Sequence, residues 1–268
     1  MPGVSSLTLY GAGRMGGALL RGWLTGSERD ITVIEPSPSP DLQALAADGR
    51  IRLNPPPAES GVLVIAVKPQ QFAAIADEAK AFADAKTLVL SIMAGVRLAQ
   101  LARRLGTERV IRSMPNTPGA IGQGITVFSA PQGARPADIT AARKLLAPLG
   151  EVRGPVDERL MPAVTALSGS GPAYLFLLAE VMAEAGEAEG LPRDLAQALA
   201  RRTVEGAAAL MAASPDGPEA LRRAVTSPGG TTQAALDILM ETGGMPRLLR
   251  EALRAAAARD RQLSQEAD

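Results

Sequence analysis

The sequence predicts an α/β domain followed by an all-helical one, and three observations carry that prediction. Short apolar runs bounded by turn residues recur across the first 155 residues, as strands buried on both faces of a parallel sheet do. From Asp157 onward such runs stop and helical spacing takes over. Between the first two runs stands Gly11-Ala12-Gly13-Arg14-Met15-Gly16, a G-x-G-x-x-G pattern between a strand and a helix. The expected fold is therefore a Rossmann-type dinucleotide-binding domain over residues 1–155, then a helical domain over residues 156–268.

Leu7 to Tyr10 reads as the first strand, and Gly17 to Leu24 as a helix offering Ala18, Leu19, Leu20 and Trp23 for packing. Asp30 to Glu35 is a second strand ending in an acid, about 20 residues beyond the glycines, where ribose recognition needs one. In this context Gly11 makes the turn, Gly13 lets a pyrophosphate approach the backbone, and Gly16 lets helix and strand lie close. Val62 to Val67, Thr87 to Ile92 and Arg109 to Met114 are further buried strands. The second of the three strands ends at Ala94-Gly95 and the third at Pro115-Asn116-Thr117-Pro118. A helix runs from Lys68-Pro69-Gln70 through Phe82. Ligands of open α/β sheets bind beyond strand C-termini, so Lys68, Ala94, Gly95 and Asn116 are candidate cofactor residues. Lysine is otherwise confined to Lys80, Lys86 and Lys144. Prolines on both sides hold Asn116, whose carboxamide can bond a nicotinamide or ribose, or close an Asx-turn on its own backbone. Ile125 to Ser129, a helix over Pro136 to Leu146 and a short strand at Val152 complete the domain.

In the second half, helices are expected over Leu160–Leu167, Tyr174–Glu189, Leu195–Met211, Glu219–Val225, Gln233–Met240 and Pro246–Leu263. The helix from Tyr174 is apolar on most of its circumference through Met182, so much of it should be buried, in the core or against a second subunit. Ser168 to Pro172 reads as a helix entry. Thr226-Ser227-Pro228-Gly229-Gly230-Thr231-Thr232 breaks one helix and starts another. Thr231 or Thr232 can cap the new helix, whose free N–H groups and positive dipole end suit a carboxylate.

Composition narrows the chemistry. Lys plus Arg and Asp plus Glu are each 28, a formal charge of zero that lacks the basic face of a nucleic-acid binder. Aromatic residues are only 3%, too few for a base-stacking platform. With no cysteine and no histidine, the chain has no disulfide, no thiolate nucleophile, no Ser–His–Asp triad and no Cys or His metal ligand. An enzyme built this way takes its difficult step from a redox cofactor. No apolar run approaches the ~20 residues needed to span a bilayer, and Met1 to Ser6 lacks the regions of a signal peptide. A cytoplasmic protein with no membrane contact is expected.

Five motifs then fall in one order: Gly11 to Gly16, Ala66-Val67-Lys68-Pro69-Gln70, Met114 to Pro118, Ala166-Leu-Ser-Gly-Ser-Gly-Pro-Ala-Tyr174, and Ser227 to Thr232. Together they resemble pyrroline-5-carboxylate reductase, over nearly the whole chain. The resemblance implies an enzyme that reduces 1-pyrroline-5-carboxylate to L-proline by hydride transfer from NAD(P)H. It also implies a helical domain that binds substrate and dimerises, as a homodimer or a ring of dimers. Its cofactor side is Gly11, Gly13, Arg14, Met15, Gly16, Glu35, Ser37, Val67, Lys68, Pro69, Ala94, Gly95 and Asn116. Its substrate side is Ser227, Gly229, Gly230, Thr231 and Thr232, with Thr232 the catalytic hydroxyl near the imine nitrogen and Thr231 the helix cap and carboxylate donor. The substrate carboxylate would sit on the N–H groups of Gly229 to Thr231. The family leans to NADP, with Arg14, Ser37 and Ser39 available for its phosphate. Glu35 favours NAD, because an acid there repels a 2′-phosphate. Two other functions use the same scaffold: a two-domain hydroxy-acid dehydrogenase, whose helical half needs a lysine absent here after Lys144, and a non-catalytic NAD(P) sensor.

Overall fold

The computed structural model describes residues 6–26 and 30–266, and every apolar run read as a strand is one. Residues 1–5, part of the stretch read above as lacking a leader, lie outside the described residues. The sheet elements are β1 (Ser6–Tyr10), α1 (Arg14–Leu24), β2 (Asp30–Ile34), α2 (Pro40–Ala47), β3 (Arg52–Leu53), β4 (Val62–Ile65) and α3 (Pro69–Lys80). They continue with β5 (Leu88–Ser91), α4 (Leu98–Leu105), β6 (Val110–Met114), β7 (Gly124–Ser129), α5 (Pro136–Leu146) and β8 (Gly150–Arg153). The strands form one sheet in the order β3-β2-β1-β4-β5-β6-β7-β8. All neighbours are parallel except β6 and β7, which pair antiparallel.

The sheet forms because its strands are apolar on both faces. Along β4, Val62 and Val64 enter the core beneath α1 and α5, while Leu63 and Ile65 enter the core beneath α3 and α4. Burying such a side chain contributes about 1.5–3 kcal/mol before the entropy of ordering is subtracted. Trp23 fills the first core, and its Nε1–H donates to the Leu145 carbonyl at 2.8 Å, so its polar edge is satisfied. The sequence reading lacked three elements. β3 is two residues long, too short for a periodic signal, and α2 buries only Leu42. α4 did carry a signal in Leu98, Leu101 and Leu105, all buried, with Gly106 closing the helix at φ 72°.

The chain divides into two compact units: one running to Gly169 and resuming at Ala256, the other spanning Ser170–Ala255. A boundary at residue 155 was expected, where the last strand ends. Contacts keep the next segment with the sheet. α6 (Met161–Val164) and a π-helical turn at Thr165–Gly169 bury Met161 and Ala166 there. Glu158, in the 3₁₀ turn before them, accepts the Leu98 N–H at 2.8 Å.

The second unit holds α7 (Gly171–Ala188), α8 (Arg193–Ala213), α9 (Pro218–Ala224), α10 (Thr231–Leu239) and the start of α11 (Met245–Glu266). α7 departs from expectation. Within the single chain only Ala183 is buried, and Leu175, Phe176 and Leu177 are 51%, 69% and 57% exposed. The helical stretch Glu158–Ala188 is also long and apolar enough, by length and composition, to cross a bilayer. That corrects the expectation of no such run, because several helical pieces join there. An apolar circumference shows that a helix face will be covered, without showing by what.

Candidate functional site

The first site is the glycine loop at the C-terminal end of β1. Gly11 adopts φ 92°, and a Cβ there would lie 2.9 Å from the Ala66 carbonyl oxygen. A Cβ on Gly16 would run into the Gly11 carbonyl oxygen, so α1 meets the loop only because Gly16 lacks one. Around Gly13 an added Cβ would meet nothing within 4 Å. Gly13 is the N-cap of α1 and makes no side-chain cap, leaving first-turn N–H groups for an anion. The donor set fits a dinucleotide pyrophosphate: an open approach at Gly13, uncapped N–H groups, and Arg14 exposed beside them. Met15 packs inward near Gly119. Tyr10, just before the loop, is buried. Burial and a hydrogen bond to Glu78 raise its phenol well above the ordinary value.

Glu35 closes the loop from the end of β2. Its Oε2 accepts the Ala12 N–H at 2.9 Å and its Oε1 accepts the Ser37 N–H at 3.2 Å. Asn54, which sequence reasoning missed, brackets the same residue. Its Oδ1 accepts the Glu35 N–H at 2.8 Å and its Nδ2 donates to the Glu35 carbonyl at 3.0 Å. Asn54 sits at φ 49°, a conformation asparagine tolerates, and the signal for it was Asn54 immediately before Pro55. Ser39, considered for a phosphate, is the N-cap of α2 and accepts the Leu42 N–H at 3.4 Å. Ser37 is exposed.

β1, β4, β5 and β6 are adjacent and parallel, so their C-terminal ends line one edge. That edge brings Val67, Lys68, Pro69, Ala94, Gly95 and Asn116 to the side of the glycine loop. Lys68 is exposed at the N-cap of α3, and Pro69 is the first residue of that helix. Val67 Cγ1 lies 2.9 Å from where a Gly11 Cβ would stand. The Asn116 carboxamide makes no Asx-turn: Oδ1 accepts the Ile125 N–H at 3.0 Å and Nδ2 donates to Ser168 Oγ at 3.3 Å. One Nδ2 hydrogen is left for a ligand. Asn116→Ala is therefore expected to lower stability by about 1–3 kcal/mol, because the part-buried Ile125 N–H loses its acceptor. Thermal unfolding measures this, and an unchanged midpoint would show that water replaces the side chain.

The second site lies in the helical unit, where Ser227–Thr232 turns from α9 into α10. Gly229 adopts φ 70°, and a Cβ on Gly230 would stand 2.5 Å from Ser227 Oγ. The cap of α10 is Gly230, with no side-chain cap, and Thr231 is the first helical residue. This corrects the expectation that Thr231 or Thr232 caps the helix. A cap side chain must precede the first turn, and both threonines lie within it. Gly230 N–H is also engaged, donating to the Ser227 carbonyl at 3.0 Å. With the Gly230 N–H engaged, the open first-turn N–H groups run from Thr231 onward. Thr231 is exposed and the Thr232 side chain is half-buried.

Comparison with known proteins covers both halves. Residues 158–263 match the family model described as pyrroline-5-carboxylate reductase dimerisation. Residues 6–95 match the one described as NADP oxidoreductase, coenzyme F420-dependent. A pyrroline-5-carboxylate reductase of Synechocystis sp. is 37% identical over 264 residues, covering 96% of this chain and 97% of its own. One from Arabidopsis thaliana is 42% identical over 207 residues, covering 77% and 74%. The solved structure of a pyrroline-5-carboxylate reductase from Coxiella burnetii superposes with a TM-score of 0.85 at 32% identity, covering 97% of this chain and 99% of that one.

Proposed function

Since the chain belongs to the pyrroline-5-carboxylate reductase family and reduces 1-pyrroline-5-carboxylate to L-proline, the last step of proline biosynthesis, we propose how its residues divide that work. The protein binds NAD(P), which supplies the hydride when bound. The pyrophosphate is held by Gly11, Gly13, Arg14, Met15 and Gly16 through the open backbone and the α1 N-terminus. Glu35 and Ser37 hold the adenosine ribose. Val67, Lys68, Pro69, Ala94, Gly95 and Asn116 line the nicotinamide side. The substrate carboxylate rests on the N–H groups of Thr231 and Thr232, with Ser227, Gly229 and Gly230 shaping the turn. Thr232 directs its hydroxyl to the imine nitrogen, where the proton that balances the hydride arrives through that hydroxyl or from water. In a chain without histidine or cysteine, catalysis is then mostly orientation. The observation that carries this is the uncapped start of α10, preceded by Gly229 in the left-handed conformation. Loss of NAD(P)H absorbance on adding pyrroline-5-carboxylate tests the whole, and no loss would overturn it.

The family leans to NADP; the geometry of Glu35 supports NADH instead, and we propose NADH as the preferred cofactor. The Glu35 carboxylate accepts the Ser37 N–H, at the strand end where a 2′-phosphate would sit. It places a like charge there as well. Glu35→Ala should raise the NADPH-to-NADH ratio of kcat/KM by about tenfold, since 1.4 kcal/mol of removed repulsion is a factor of ten. Both cofactors will bind more weakly as the loop loses its tie, so the ratio is the quantity to read. A ratio that stays put would remove Glu35 as the determinant. The exposed face of α7 is covered by a second copy, as the dimerisation match supports, giving a cytoplasmic homodimer.

A further inference from the structure

The last turns of α11 return to the sheet unit and carry a charge into it. The Asp260 side chain is 2% exposed and faces Arg112 on β6, itself 3% exposed, with Oδ2 and Nη2 3.6 Å apart. Glu158 Oε1 stands 3.4 Å from Arg112 Nη1 on another side. Among the described residues, neither carboxylate oxygen of Asp260 nor Arg112 Nε makes a direct hydrogen bond to protein. A buried pair so loosely bonded adds little net stability, because desolvation costs several kcal/mol per ion and an apolar pair would pack as well. Its consequence is a fixed position. Gly95, at φ 74°, packs directly on the same helix end: a Cβ there would lie 3.4 Å from Leu263 Cβ, 3.6 Å from Ser264 N and 3.7 Å from the Asp260 carbonyl oxygen. Gln100 on α4 adds a tie, its Nε2 donating to the Ser264 carbonyl at 2.9 Å. The segment after β5 is thus held to α11 at Gly95 and again at Gln100.

We propose that Arg112 and Asp260 are positioning residues for the dinucleotide, holding the end of α11 against Ala94–Gly95 and so setting the shape of the loop beyond β5. The proposal rests on the assignment of Ala94 and Gly95 to the cofactor side. Neither Arg112 nor Asp260 touches the reacting atoms; both act through the loop.

The test uses the full chain and NADH as the probe, reading its dissociation constant by fluorescence, the unfolding midpoint, and kcat at saturating cofactor and imine. Asp260→Asn is expected to weaken NADH roughly tenfold, within the range seen for remote coupled residues, while kcat changes by no more than about twofold. A merely structural pair would lower the unfolding midpoint and leave the affinity of the folded protein unchanged, and that result overturns the proposal. If Asp260→Asn does not fold, Leu263→Gly removes the Cβ that stands nearest Gly95 without stranding a charge; unchanged NADH affinity in that variant overturns the proposal too. Gly95→Ala separates the proposal from its premise. If Gly95→Ala leaves NADH affinity intact, the loop is no cofactor contact and both fall. If it weakens NADH while folded Asp260→Asn does not, only the positioning role falls.

Discussion

Replacing Thr232 with alanine is expected to lower kcat about a hundredfold, the lower range for removing a group that serves proton transfer, and to leave the NADH dissociation constant unchanged. The hydroxyl lies in the first turn of α10, half-buried, in the helical unit, whereas the glycine loop belongs to the sheet unit. Loss of the hydroxyl therefore leaves the pyrophosphate and ribose contacts untouched. The neighbouring first-turn N–H groups survive the substitution, so the carboxylate still docks and KM for the imine should change less than kcat. That split marks an interaction made in the transition state rather than uniform binding. Thr232→Ser keeps the hydroxyl and should retain most of the rate. Steady-state kinetics with both substrates varied decides it, and an undiminished kcat in the alanine variant would end the role assigned to Thr232.

Gly16→Ala is expected to lower stability by about 1–3 kcal/mol, the usual cost of overpacking a close backbone contact, and to abolish cofactor binding at working concentrations. The added methyl would meet the Gly11 carbonyl oxygen and crowd the Ala66 side chain, so α1 must move off the loop that it completes. Gly13→Ala provides the contrast. Nothing stands within 4 Å of its new methyl, so stability should hold while the pyrophosphate loses its approach. Thermal unfolding of both variants, with NADH titration, separates packing from access. Equal stability losses in the two would refute the division of labour among the three glycines.

Much of this was legible along the chain. The strands follow from continuous apolar runs, and α1, α5 and the helices of the second half from spacing near 3.6; both depend only on neighbours in sequence. The glycine loop was legible because Gly11 and Gly16 must lack a Cβ where backbone meets backbone, as the Ala66 and Gly11 carbonyls confirm. The candidate hydroxyls emerged because a chain with neither His nor Cys leaves few other groups for substrate. The rest required tertiary structure, since each point turns on a partner far away in sequence. Glu35 could be placed at a strand end, but not with its two oxygens on Ala12 and Ser37. Asn116 could be seen as held, but not as bonded to Ile125 and Ser168. The apolar circumference of α7 called for cover without saying that its own chain leaves Phe176 exposed. Asp260 reads as one more charge on a polar helix until folding buries it beside Arg112. Local pattern decides which elements form, because propensity and periodicity act over a few residues. Which charges and amides meet is decided only when the elements pack, because that is when water is removed and each polar group must find a partner.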